Sequence, residues 1–218
     1  MKPRFSPKRN AAMTLFEVGV IIAVVMVLAV LLLPPIMSRK HGASYITCDN
    51  NLKQIGLAYR IWAGDNGDVN PMGILMANGG SMEMVVTGNV LQTFLVMSNE
   101  LSTPRILICP ADTRTAAFSF ASPMGNSNIS YFVGVDVTNY MNPQMIISGD
   151  GNFEIGGVAV MPGLREFGTN DPVVWSATRH VKCGNIGLAD GSVPVTTSPG
   201  LHDYFQQTGL ATNRLALP

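Results

Sequence analysis

From Val18 to Met37 the chain runs for 20 residues without a charge, in a composition rich in Val, Leu and Ile. Wound as an α-helix this run rises about 30 Å, the thickness of the hydrocarbon core of a bilayer. Pro34 and Pro35 fall inside it. A proline within a helix removes a hydrogen bond and clashes with the preceding turn, so the pattern predicts either a kink at 34–35 or the end of a membrane helix. Further on, Tyr45, Cys48, Leu52, Ile55, Tyr59 and Trp62 recur at spacings of 3, 4, 3, 4 and 3. That is a narrow apolar stripe on one helix face, with Asp49, Asn50, Asn51, Lys53, Gln54 and Arg60 on the others. Gly64-Asp65-Asn66-Gly67-Asp68 then supplies stop and turn chemistry.

Past this point the pattern changes to short apolar runs separated by turn signals, with no internal repeat. Candidate strands are Ile106–Cys109, Ile129–Val135, Met145–Ser148, Val158–Met161, Ile186–Ala189 and Val193–Thr196. Leu201–Gln207 reads as a short helix with Leu201, Tyr204 and Phe205 on one side. The methionines between residues 72 and 99 read as adaptable core. The expected fold class is α+β: a long N-terminal helical spike, transmembrane in its first half and amphipathic in its second, packed on an antiparallel β-rich head. The expected domains are a basic leader at 1–12, the helix at 13–63 with its kink at 34–35, and a head at 64–218.

Of the 218 residues, 47% are hydrophobic and 13% charged, about half the charge of an ordinary soluble domain, which excludes a disordered chain. The net charge of zero conceals an asymmetry. Residues 1–12 carry Lys2, Arg4, Lys8 and Arg9 with no acid, whereas residues 65–218 hold 6 basic against 12 acidic residues. An acidic bulk argues against a nucleic-acid partner. The basic leader argues for an N-terminus in the cytoplasm, since only Arg39 and Lys40 immediately follow the apolar run. A cleaved secretory signal is the rival, but its apolar region is about 7–15 residues, shorter than this one.

The junction Ala12-Met13-Thr14-Leu15-Phe16-Glu17 places one acid at the start of the apolar run. Thr14 and Glu17 have the spacing of a capping box, which gives the acid a local role at a helix start. In the order small residue, Met, Thr-Leu, apolar residue and Glu after a basic leader, the chain resembles the type IV pilin and type II secretion pseudopilin superfamily. The resemblance implies a prepilin-type sequence, with cleavage after Ala12 by a prepilin peptidase, N-methylation of Met13, and a pairing of Glu17 with the methylated amine of a neighbouring subunit. Ala12 departs from the usual glycine before the cut, and Gly19 weakens the helix.

His180 followed by Asp190-Gly191 is similar to the H-x9-D-G pattern of a large pilin-like family, although Asp-Gly between apolar runs is also a hairpin signal by itself. Other segments resemble that family's landmarks in order: Cys48-x-x-Asn51 with Leu52-Lys53-Gln54-Ile55-Gly56, Cys109-Pro110-Ala111-Asp112, Ser130-Tyr131 and Gly149-Asp150. Ser192 stands where the family commonly has a second histidine, which speaks against a paired-histidine metal site. Cys48 and Cys109, both within these landmarks, form the preferred disulfide pair, with three buried thiols as the alternative.

The three histidines His41, His180 and His202 form no hydrolase or metalloprotease motif. His180 with Asp190 or Cys183 gives only a catalytic sketch, against which a histidine bonding its own hairpin is preferred. The oxygen-rich Asp65–Asn70 segment lacks the spacing of a Ca²⁺ loop and reads as a turn. The sequence thus assigns no catalytic residue, no cofactor and no metal ligand. It points to a pilin-like structural subunit with an extracytoplasmic head, stored in the inner membrane and assembled through its N-terminal helix with other pilin-like subunits. The alternative is an unassembled, membrane-anchored, extracytoplasmic binding domain.

Overall fold

A computed structural model describes residues 14–218, without the side chains of residues 30–43. The chain divides into two compact units, Met1–Gly42 and Ala43–Pro218.

In the first unit, helix α1 (Leu15–Asp65) begins. Its start is a closed capping box. The Thr14 amide and hydroxyl donate to Glu17 Oε2 at 2.8 and 2.9 Å, and the Glu17 amide donates to Thr14 Oγ1 at 3.3 Å. The described part of this segment, residues 15–29, is apolar apart from Glu17 and exposed on every side. Pro34, Pro35 and the expected kink lie outside the described side chains, as Ala12 and Met13 lie outside the described residues.

The expected spike with a transmembrane first half is corrected here. Among the described residues no helix is long and apolar enough to cross a membrane, and the longest described helical stretch has about 22 residues. Of the described residues, the apolar stretch 15–29 rises about 22 Å against the roughly 30 Å of a bilayer core. Residues 44–65 are long enough but carry Asp49, Lys53, Arg60 and Asp65.

The second unit begins within α1, at Ala43. The cause is the apolar stripe: Cys48, Leu52, Ile55, Ala58, Tyr59 and Trp62 are all buried in the head's core. Three short helices follow, α2 (Met82–Val85), α3 (Leu91–Val96) and α4 (Ser98–Leu101), with 3-10 turns before and after them. The Asp65–Asn70 segment is a turn, in which the Asn66 and Asp68 amides donate to Ala63 O at 2.9 and 2.8 Å.

The strands are β1 (Tyr131–Gly134), β2 (Ile146–Asp150), β3 (Phe153–Ile155), β4 (Val158–Ala159), β5 (Gly163–Gly168), β6 (Val173–Trp175), β7 (Cys183–Leu188), β8 (Val195–Thr197) and β9 (Thr212–Leu217), with α5 (Ser198–Gln207) between the last two. Six of them form an antiparallel sheet in the order β5-β9-β1-β2-β7-β8, and β4-β3-β6 form a second one. The large sheet is buried on both faces. Tyr131 and Val133 join the α1 side while Phe132 joins the α5 side, the alternation that a strand imposes. On the α5 side Phe153 stacks on Trp175 at 4.7 Å, and Phe167 on Phe205 at 5.9 Å.

The expected strand Ile106–Cys109 is instead a 3-10 turn, Pro104–Leu107, continued by Ile108 and Cys109 outside any strand. Pro104 supplies the fixed φ of a helix start, and Thr103 caps it by accepting from the Arg105 amide.

Candidate metal centre

Four side chains from distant parts of the sequence converge beneath helix α1. Cys48 lies on its buried face. Cys109 follows the 3-10 turn, which is tied to the sheet where the Ser130 amide donates to Leu107 O at 2.8 Å. Asp150 is the last residue of β2. His180 lies in the segment between β6 and β7, and the two residues after it hold unusual backbone angles, φ +50° at Val181 and +63° at Lys182. Left-handed backbone is costly for a side-chain-bearing residue, most of all a β-branched one, so this turn is held by its surroundings. One constraint is the Lys182 amide donating to Ser176 O at 3.3 Å. Another is the Tyr45 hydroxyl, which donates to His180 O while its ring lies 4.4 Å from the imidazole.

One donor atom from each of Cys48, Cys109, Asp150 and His180 lies within 4.8 Å of the others. All four residues are buried, at 0, 0, 0 and 1% exposure. Cys109 Sγ is 3.2 Å from His180 Nε2, which is 3.5 Å from Asp150 Oδ2. Asn185 fixes the carboxylate, its amide and its side-chain nitrogen both donating to Asp150 Oδ2 at 2.9 and 2.8 Å. Asp150 Oδ1 and His180 Nδ1 are buried without a hydrogen-bond partner among the described residues.

The groups bias one another's protons. Burial raises the pKa of Asp150, against the opposing pull of His180, Asn185 and Arg179. Burial would lower that of His180, but its contact with Cys109 and the charge of Asp150 outweigh burial and raise it. The Cys109 sulfur accepts from Cys48 and His180 and is brought down to about 6, while the donating Cys48 thiol is pushed up, with burial adding to the effect. Burial thus works against the charged form of Asp150, while the contacts of Cys109 favour its thiolate.

A second layer surrounds these residues. Asn51, one helical turn from Cys48, donates to Ile108 O at 3.0 Å and to the Tyr131 hydroxyl at 3.3 Å. Asp112 receives Arg179 Nη2 at 2.5 Å and the Ser130 hydroxyl at 2.7 Å. Arg179 also donates to Ser130 O at 2.9 Å. Gly149 admits the sheet beside Asp150: a Cβ there would lie 2.7 Å from the Phe132 ring and 2.8 Å from Asn185 O. The scattered landmarks of the sequence, Cys48 with Asn51, Cys109 with Asp112, Ser130-Tyr131, Gly149-Asp150 and Arg179-His180, thus occupy one place in the fold.

Several sequence-based expectations change here. Cys48 and Cys109 do meet, but as free thiols and not as a disulfide, each sulfur having the other cluster members as partners. His180 does not bond its own hairpin; its ring addresses Cys109 and Asp150. Asp190 and Gly191 stand apart as a turn, with Asp190 Oδ1 accepting from the Ser192 amide at 2.8 Å and Gly191 at φ +89°. That turn docks on α1, where Arg60 donates to Ala189 O at 3.0 Å. The four-residue cluster, which the sequence did not assign, is formed from residues 61, 41 and 30 positions apart, so no local ligand spacing announces it. Its one signal was that each member sits inside a landmark segment. No family model, curated protein or solved structure matches the chain.

Proposed function

We propose that this chain is a pilin-like structural subunit, cut by prepilin peptidase after Ala12, with its head outside the cytoplasm, and built into a type IV pilus-like or pseudopilus-like filament through its N-terminal helix. The observation that carries the reading is the surface of residues 15–28. Leu15, Phe16, Ile22, Val25, Met26 and Leu28 are all at least half exposed, Leu15 at 92%. A helix that is apolar all round demands a covering, because contiguous exposed apolar surface beyond a few hundred Å² marks a contact site. The same segment of neighbouring subunits supplies a matching surface.

Glu17 is the determinant in this reading. Within one chain it closes the capping box with Thr14. Both of those bonds use Oε2, and a carboxylate has a second oxygen with which to meet the amine of Met13 on a neighbour. Such a charge pair compensates an acid among apolar helices. Glu17→Ala is expected to abolish filaments or crosslinked multimers while leaving cleavage, abundance and head folding unchanged. Multimers at parental levels in the Glu17→Ala protein would remove the assembly role and leave Glu17 as a helix cap.

A further inference from the structure

We propose that Cys48, Cys109, Asp150 and His180 bind one Zn²⁺ ion as a closed, structural four-ligand site. Two sulfurs, an imidazole nitrogen and a carboxylate oxygen form a borderline-soft set that suits Zn²⁺ and not the oxygen-seeking Ca²⁺ or Mg²⁺. Tetrahedral bonds of about 2.0–2.3 Å place donor atoms roughly 3.3–3.8 Å apart. The separations of 3.2 Å between Cys109 Sγ and His180 Nε2 and 3.5 Å between His180 Nε2 and Asp150 Oδ2 lie close to that range. With all four donors within 4.8 Å of one another, a small contraction around an ion completes the set.

Two further observations point to a cation. Asp150 is fully buried, and its Oδ1 has no hydrogen-bond partner among the described residues. A buried carboxylate next to two ionisable thiols is costly to hold without a positive charge at its centre. Asn185 and Arg179 form the support that metal sites characteristically carry. Asn185 orients the carboxylate through two hydrogen bonds, and Arg179, anchored on Asp112, offsets the surplus negative charge of two thiolates and a carboxylate around a dication.

The site is structural and not catalytic on two grounds. All four positions are protein ligands, and the residues are at most 1% exposed, which leaves no open position for a substrate or an activated water. The ligands join α1, the segment after the 3-10 turn, β2 and the segment before β7. One ion therefore fastens the helix to the sheet. Binding releases to solvent whatever protons the two sulfurs and the imidazole still hold and involves no oxidation, in contrast to a Cys48–Cys109 disulfide, which would require an oxidant.

The test uses the full chain purified without chelator and under argon. Elemental analysis is expected to find about one zinc per chain. Cys48 and Cys109 are expected to resist alkylation until a chelator is added, with a drop in melting temperature on its removal of the metal. Replacement by Co²⁺ is expected to give the visible bands of tetrahedral coordination together with thiolate charge-transfer absorption. Asn185→Ala, which frees Asp150 without deleting a ligand, is expected to weaken zinc about 10–100-fold. Cys109→Ser is expected to lose the charge-transfer band in part. Metal-free protein whose reduced thiols take up neither Zn²⁺ nor Co²⁺ overturns the proposal, as does a Cys48–Cys109 disulfide in the intact mass or a cobalt spectrum without thiolate bands. The cobalt spectrum of the unaltered chain decides the matter even where a variant fails to fold.

Discussion

Arg179 and Asp112 are two charges with 9 and 7% of their side-chain surface exposed, and their contact at 2.5 Å lies next to the histidine they support. Removing one member of a buried pair strands the other, at a cost of about 3–5 kcal/mol. Asp112→Asn is therefore expected to lower stability by about 3 kcal/mol in denaturant unfolding, and a loss below about 1 kcal/mol would mean that Arg179 finds water or another partner. Gly149 makes a second prediction. Its missing side chain lets the Phe132 ring and Asn185 O approach, so Gly149→Ala is expected to cost about 1–3 kcal/mol through overpacking. Neither residue was legible as structurally demanding from its type alone. Gly149-Asp150 stands in the sequence only as a pair resembling a family landmark, and only the register that sets Gly149 opposite Phe132 reveals why the glycine is needed.

Helix α1 was readable in sequence because its buried positions follow one another at helical spacing, and the stripe from Cys48 to Trp62 lies in the core. The stripe predicts its own energetics. Leu52, 1% exposed, is expected to lose about 2–5 kcal/mol on truncation to Ala, while Leu57, 57% exposed, is expected to change stability by less than about 0.5 kcal/mol. Melting curves of the two variants compare the faces directly, and equal losses would overturn the assignment of the buried face. Strands were less legible, for reasons that differ by strand. β5 is a sheet edge and carries Arg165 and Glu166, charges that protect an edge but break the apolar run by which a strand is recognised. β9 contains Asn213 and Arg214; Asn213 is buried by bonding Phe205 O, and Arg214 holds Asp136. Both partners lie elsewhere in the chain. The cluster was legible only as fragments, since contact between residues so far apart in sequence is a property of the sheet order and not of any segment.

At the scale of the whole molecule, the compact head beginning at Ala43 divides helix α1 between two units. A fragment of residues 43–218 is expected to unfold in one cooperative transition, whereas 64–218 is expected to lack one. The shorter fragment loses Cys48, Leu52, Ile55, Tyr59 and Trp62 and leaves one face of the large sheet uncovered. Calorimetry of the two fragments separates the cases, and a cooperative transition in 64–218 would show that the helix is dispensable to the core. The order of the sheet also bears on how the chain is made. β9, built from residues 212–217, inserts between β5 and β1, which precede it by some 50 and 80 positions. During vectorial synthesis those two strands emerge long before the one that separates them. Until residues 212–217 arrive, the ladder edges of β1 and β5 that will receive them are open to pairing with any passing strand, so the exposure of those edges lasts as long as the synthesis of the roughly 80 residues between β1 and β9.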